Sequence, residues 1–511
     1  MTTHHRRTRR RLAAAMIATA VAIAVAGCSS PNSNETAPTA ATGGTLTLAN
    51  VNQDVTFDPA KAKSGGAGVQ FWSTVYDTLL TYEPDGTISP NIAESFSMGE
   101  DNTVLTMTIR EGLTFTDGAP VDAEAVKESL DYNKAGGSAR LADIEISAPD
   151  ESTVVLTSGA PNGLMPTFMT LAEGIVASPA SLASADLATN PVGSGPYVLD
   201  QSASTSGATY TFTRNEDYWN ASAFPYDEVV FQTLTDVNAR VSALRSGQVD
   251  GALITAQSAT SVDDDATTLH ESSVNWAGLL FADRAGDIVP ALGSVEVRQA
   301  INMVFDRDAV LSGLYNDEGG ATNQIFNSSN QGYLADMVDY YDFDVAGAQK
   351  LMAEAGYEDG FSVDIPVLPG AEVATPIITQ QLGLIGIEVN PQPFGSTTVP
   401  DMLGGKYAMW YMELESRTAL WDIVQSVAPE AVWNPLRSED PELTSLIDSA
   451  QRASEDEIGA VAQEINEFLI KNAWFAPLVL PTNFYATDSN TSATPVLGSN
   501  SPYLYTFKPA E

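Results

Sequence analysis

Cysteine occurs once in the 511 residues, at Cys28. A single thiol closes no internal disulfide, so the chain can be stabilised only by burying apolar surface, for which it is amply long. The surroundings of Cys28 add to this. A basic head with Arg6, Arg7, Arg9, Arg10 and Arg11 precedes an uncharged, Ala-rich run over 12–26. A positive n-region, a short apolar h-region and small residues before a cleavage point are the layout of a secretory signal peptide. The apolar run is shorter than the ~20 residues a membrane-spanning helix needs.

Val25-Ala26-Gly27-Cys28 resembles a bacterial lipobox. The expectation is a signal peptide over 1–27 and lipidation of Cys28, which becomes the mature amino terminus on the outer face of the cytoplasmic membrane. Two or more acyl chains anchor stably where one binds only marginally. The alternative is an ordinary signal peptide with an incidental cysteine. Residues 29–42 read SSPNSNETAPTAAT, with no apolar side chain larger than alanine. Such a segment cannot offset its ordering entropy, and 28–42 is expected to be a tether. Folded sequence begins near Gly43-Gly44-Thr45-Leu46-Thr47-Leu48, which alternates like a strand.

Residues 43–511 are too many for one core and enough for two or three domains. Without the five leader arginines, 19 of the 24 basic residues remain against 65 acidic ones, a balance near −46. That charge excludes nucleic acid as a partner, because phosphate neutralisation needs Lys/Arg clusters. It also opposes adhesion to anionic lipid through the protein surface.

Signatures of catalysis are missing. After Cys28 the chain has one histidine, His270, followed by Glu271-Ser272-Ser273-Val274, so there is no H-E-x-x-H zinc helix. There is no G-x-S-x-G elbow and no G-x-x-x-x-G-K-[ST] phosphate loop. A nucleophile–histidine pair could use only His270, and an exported hydrolase is the runner-up reading. No cofactor or metal is expected; several-histidine nickel capture in particular lacks its ligands.

The pattern along the chain carries the main argument. Val104-Leu105-Thr106-Met107-Thr108-Ile109-Arg110 alternates as a strand, and Glu111-Gly112-Leu113-Thr114-Phe115-Thr116-Asp117-Gly118 carries turn signals. The stretch 121–130 then reads as a helix with Asp122 as N-cap and Ala125, Val126, Ser129 and Leu130 on one face. Together with Pro90-Asn91-Ile92-Ala93-Glu94-Ser95-Phe96, this passage resembles the dipeptide/oligopeptide-binding family (family 5) of extracytoplasmic solute-binding proteins of ABC importers. More matches follow in order. They are Pro191-Val192-Gly193-Ser194-Gly195-Pro196-Tyr197, Arg214-Asn215-Glu216-Asp217-Tyr218-Trp219, and Asn238-Ala239-Arg240 with 243–250. Val297-Arg298-Gln299-Ala300-Ile301-Asn302 with Asp306-Arg307, and the stretch 348–357, complete the series. Most of these residues read as scaffold. Gly193 and Gly195 are expected to supply backbone freedom, Arg298 and Asp306 ion pairs, and Tyr218-Trp219 core packing.

The resemblance implies an α/β, periplasmic-binding-protein-like fold: two lobes with a hinge plus an inserted third domain. By position, lobe one combines 43–76, 188–274 and 478–511, the inserted domain is 77–187, and lobe two is 275–477. Crossings near 274–276 and 475–478 would form the hinge. The implied partners are a small solute, peptide-like by preference, and the transmembrane subunits of an ABC permease. The membrane is reached through the lipid anchor, and a monomer is expected. Hinge closure over the solute would report occupancy.

Ligand identity is less legible. Peptide-binding relatives carry a loop resembling G-W-x-x-D-Y-x-D-P, whose aspartate pairs with the peptide amino group. The corresponding stretch 407–422 lacks it and places Arg417 near the aspartate position, with Glu413, Glu415 or Asp422 as possible substitutes. The family also includes proteins for nickel complexes, oligosaccharides, opines, glutathione and haem, so a non-peptide solute stays open. Trp276, Trp410, Tyr411, Trp421 and Trp433 are candidates for an aromatic-lined cleft, or are core residues. Arg417 and Arg437 are candidates for a ligand carboxylate, or make surface ion pairs.

Overall fold

The computed structural model describes residues 43–52, 55–262, 265–273 and 275–510. The expected signal peptide, Cys28 and the tether lie outside the described residues. Among the described residues no helix is long and apolar enough to cross a membrane.

Three sheets organise the chain. The first has seven strands in the order Tyr197–Thr205, Thr209–Arg214, Glu228–Thr233, Thr45–Asn50, Gly251–Ile254, Asn483–Asp488 and Thr267–Ser272. Thr45–Asn50 sits in its middle and pairs in parallel on both sides, while the outer strands are antiparallel. A strand covered on both faces has little need of polar residues, and only Thr45 of its six is exposed. The second sheet is antiparallel, in the order Gly319–Ala321, Phe475–Pro481, Asn275–Phe281 and Met409–Glu415. The third, also antiparallel, is Ala93–Met98, Val104–Ile109, Thr153–Ser158 and Ile144–Ser147.

The chain passes between the first two sheets twice, from Ser272 to Asn275 and across Thr482. The second crossing lies later than 475–478. Pairing of Val479–Pro481 with Gly319–Ala321 keeps that strand in the second sheet to Pro481. Backbone contacts flank both crossings: Asn327 Nδ2 donates to the Ser273 carbonyl (3.0 Å) and the Thr482 N–H to the Glu318 carbonyl (3.2 Å).

Local chemistry fixes the helix starts. Asp122 accepts from the Ala125 N–H (2.9 Å) and opens the helix Ala123–Ala135, which buries Ala125, Val126, Ser129 and Leu130 as its pattern requires. Asp306 caps Arg307–Tyr315 in the same way, accepting from the Ala309 N–H, and has no ion-pair partner among the described residues. Arg298 also departs from expectation. It is buried and donates to the carbonyls of Leu292, Asn472 and Ala473, because its helix Val295–Met303 packs under the segment leading into Phe475–Pro481. Gly193 and Gly195 serve close approach rather than backbone freedom. A Cβ on either would lie 2.2 to 2.6 Å from the Val75 carbonyl group.

One apolar cluster fills the first sheet's body, with Phe71 making edge contacts to Tyr210, Phe212 and Phe231. A larger one runs continuously through the third and second sheets.

Candidate functional site

Where the strand Met409–Glu415 ends, the chain turns through 416–418 into the short helix Ala419–Asp422. Alternation along the strand places Trp410, Met412 and Leu414 on one face and Tyr411, Glu413 and Glu415 on the other. Thr418 Oγ1 accepts from the Trp421 N–H (3.3 Å) and starts the helix. The Asp422 carboxylate then ties the turn together. It accepts from the Arg417 N–H (3.2 Å), the Ser416 hydroxyl (2.5 Å) and Asn330 Nδ2 (2.9 Å). Burial pushes the Asp422 pKa up to about 7, although Ser416 and the Arg417 N–H favour its charged form.

This turn aims Arg417 at the body of the first sheet. Its side chain is 1% exposed. Nη2 donates to the Ser64 carbonyl (3.2 Å) and meets Glu415 Oε2 at 3.3 Å. Nε and Nη1 have no hydrogen-bond partner among the described residues. Burial opposes the charge and Glu415 favours it, and the net effect holds the guanidinium above its ordinary pKa. The Tyr82 hydroxyl, which acts electrostatically on Arg417, is likewise buried and unpartnered, and the buried Tyr503 hydroxyl favours the Arg417 charge through a long hydrogen-bond contact. Gly498, at φ 72°, lies against the arginine stem, where a Cβ would come 2.7 Å from Arg417 Cγ. The Trp421 ring lies 5.3 Å from the Arg417 guanidinium carbon and 4.9 Å from that of Arg140, which is paired with Glu173 at 2.8 Å.

Buried polar groups are normally hydrogen-bonded, and each orphan costs about 1–3 kcal/mol. Here two guanidinium N–H positions lack well-formed partners beside the buried, unpartnered Tyr82 hydroxyl, all able to donate. The set suits a planar oxyanion such as a carboxylate, which guanidinium binds in bidentate fashion. Nothing in it resembles an acid–base pair poised for catalysis. His270 is remote, in the strand Thr267–Ser272, where Nε2 meets Thr487 Oγ1 at 2.9 Å and burial lowers its pKa. Among the described residues no three His, Cys, Asp or Glu side chains are grouped to hold a metal ion.

The other sequence candidates are dispersed. Trp276 and Trp410 are buried in the large core, Trp276 edge-on to Phe475 at 5.5 Å and Trp410 with Nε1 on Met412 Sδ at 3.0 Å. Tyr411 and Glu413 form a separate cluster through the Tyr315 hydroxyl, which lies 2.9 Å from the Tyr411 hydroxyl and donates to Glu413. Trp433 is half-buried against the core. Arg437 is exposed, its Nη1 on the Pro429 carbonyl. Asp422 is occupied as the brace of the turn, leaving Arg417 and Trp421 together with the nearby Glu415. Ser64, Tyr82, Arg140, Gly498 and Tyr503 complete the site and carry no sequence signal, because they arrive from segments distant in the chain, Ser64 353 positions away.

The model of the bacterial extracellular solute-binding proteins, family 5 (middle region), matches residues 87–418. A probable peptide ABC transporter periplasmic-binding protein of Sinorhizobium fredii is 25% identical over 370 residues, 66% of this chain and 68% of that protein. Heme-binding protein A of Haemophilus influenzae is 24% identical over 434 residues, 75% of this chain and 77% of its own length. Among solved structures, the A. tumefaciens R10 protein AgaA, in complex with agropinic acid, aligns with a TM-score of 0.79 at 26% identity over 92% of this chain and 99% of its own. DppA of Helicobacter pylori, with the peptide STSA, aligns at 0.78 and 20% identity over the same shares of the two chains. These relatives are binding proteins, and the fold is theirs: two α/β lobes with a hinge and an additional inserted domain. The chain therefore belongs to the family 5 extracellular solute-binding proteins of ABC importers.

Proposed function

We propose that this protein is the lipid-anchored receptor of an ABC importer, capturing a peptide or peptide-like solute between its lobes and delivering it to the permease. The carrying observation is Arg417, a buried guanidinium whose Nε and Nη1 lack well-formed partners. A solute carboxylate at that edge would satisfy both nitrogens. Arg417 and Trp421 come from the second-sheet body, and Ser64, Tyr82, Gly498 and Tyr503 from around the first. A solute held there contacts both lobes only when they are closed, so it stabilises the closed form by differential affinity. The two crossings, between Ser272 and Asn275 and at Thr482, are the hinge in this reading. The lobes follow the sheets, and the inserted domain is the third-sheet segment. Cys28 holds the protein at the outer face of the cytoplasmic membrane, and the protein acts as a monomer without cofactor.

A second reading has one specific support. By the family resemblance Arg417 falls near the aspartate position of peptide-binding relatives, and the AgaA complex contains agropinic acid. A carboxylate-bearing amino-acid conjugate of the opine kind would use the same anchor. Native mass spectrometry of the full chain, purified in mild detergent, separates these readings by the mass and composition of the co-purified solute. Recovery of a peptide or an amino-acid conjugate, bound and unconsumed, supports the proposal. Steady hydrolysis of peptides or glycosides, lost on His270→Ala, would overturn it.

A further inference from the structure

A cavity of about 280 Å³ opens on the first-sheet side of the molecule. It is near the lower end of the size range of small-molecule sites, roughly 300 Å³ upward. Eight of its lining residues are aromatic, among them Trp72, Tyr218, Trp219 and Tyr505. Two are acidic, Asp77 and Glu83, and none is basic. All of them come from 69–91, 170, 218–224 and 503–505, so no residue of 275–477 contributes. The cavity is complete without the second-sheet lobe, unlike the Arg417 site.

Its polar anchor is built in. Asp77 is buried, with Oδ1 accepting from the Tyr218 hydroxyl (2.9 Å) and Oδ2 from Ser194 Oγ (3.3 Å). Asn91 and Trp219 also hydrogen-bond to it, so its roughly four acceptor positions are taken and what it offers the cavity is negative charge. Burial raises the Asp77 pKa to about 6, while these four donors favour its charged form. Trp219 is not core packing. It is 37% exposed and lines the cavity, with the Arg110 guanidinium 4.4 Å from its ring centroid. Tyr218, by contrast, is buried and spends its hydroxyl on Asp77.

Arg110 takes one face of Trp219 from outside the lining, and the remaining aromatic walls with two carboxylates and no basic lining residue are the chemistry that takes an organic cation, through ring faces and charge together. We propose that this cavity is a second ligand site, selective for a small organic cation bearing an ammonium group, separate from the anion-binding Arg417 site and formed whether or not the lobes are closed. Tyr82 and Tyr503 line the cavity while their hydroxyls lie near Arg417, which makes the two sites neighbours.

The test is calorimetric titration of the full chain in detergent with phenethylammonium, against phenylacetate and 2-phenylethanol as anionic and neutral probes of similar shape. Saturable binding of the cation alone is expected. Trp219→Ala and Glu83→Gln should each weaken it by roughly 3- to 30-fold, the range for a lost cation–ring or ion-pair contact. Asp77→Asn should weaken it further. Because Asp77 is buried, that variant may be read only if it folds, and the two surface variants decide the matter without it. No saturable binding to the wild-type chain, equal binding of phenylacetate, or unchanged cation affinity in both Trp219→Ala and Glu83→Gln would each overturn the proposal.

Discussion

Replacing Arg417 with alanine separates the ligand role of the guanidinium from its structural one. Structurally the side chain supplies one hydrogen bond to the Ser64 carbonyl and one contact to Glu415, which remains partly solvated when the arginine is gone. Hydrogen bonds from charged groups contribute about 1.5–3 kcal/mol each, and relief of the buried Nε and Nη1 offsets part of that loss. The variant should therefore unfold at lower urea by an amount worth about 1–3 kcal/mol and remain folded. Binding should suffer more. Removing one partner of a buried, hydrogen-bonded charge pair costs about 2–5 kcal/mol, roughly 30- to 4000-fold in affinity. The assay is calorimetric titration with solute recovered from the wild-type protein, performed on variant shown to be folded by circular dichroism. Arg417→Lys should fall between the two, since an ammonium keeps the charge and loses the fork. An Arg417→Ala affinity within threefold of wild type would refute the argument that the unpartnered N–H edge is the solute's anchor.

Asp422 gives a pH signature. Its folded pKa of about 7 lies above the unfolded value of 3.8, so the folded state holds the proton more tightly. Its contribution is most favourable below about pH 4 and is lost as pH rises to about 7. In urea melts, the stability of wild type relative to Asp422→Asn should fall across that window and level off above it; a pH-independent difference would contradict the buried-acid account. Gly498→Ala should destabilise by about 1 kcal/mol or more and weaken solute binding, because the new Cβ meets Arg417 Cγ at 2.7 Å in a left-handed backbone. Unchanged melting and binding would remove Gly498 from the site. Cys28→Ser should release the protein from the membrane fraction, and a variant that stays membrane-bound after a salt wash would end the lipid-anchor proposal.

What could be read from the sequence was mostly local. The caps at Asp122 and Asp306 and the strand Val104–Ile109 depend on neighbours within a few residues, so the pattern carries them. Arg298 shows the limit. It reads as a scaffold ion-pairing residue until the chain returns some 175 positions later with two carbonyls, of Asn472 and Ala473, that join the local Leu292 carbonyl. The dispersal of the aromatic candidates other than Trp421 has a related reason. Alternation separates Trp410 from Tyr411, but the sequence does not say which face meets the core. Ordered family motifs cover the scaffold, whereas the site is closed by Ser64, Tyr82, Gly498 and Tyr503, whose approach to Arg417 is set by lobe packing rather than by any local preference.

The central claim is that the solute is held by a carboxylate on Arg417. Its most direct test is titration of the wild-type protein with the recovered solute and, in parallel, with the same solute methyl-esterified at its carboxylate. The account predicts that esterification, which removes the negative charge, weakens binding by at least about 30-fold. Equal affinity of the acid and its ester would contradict it.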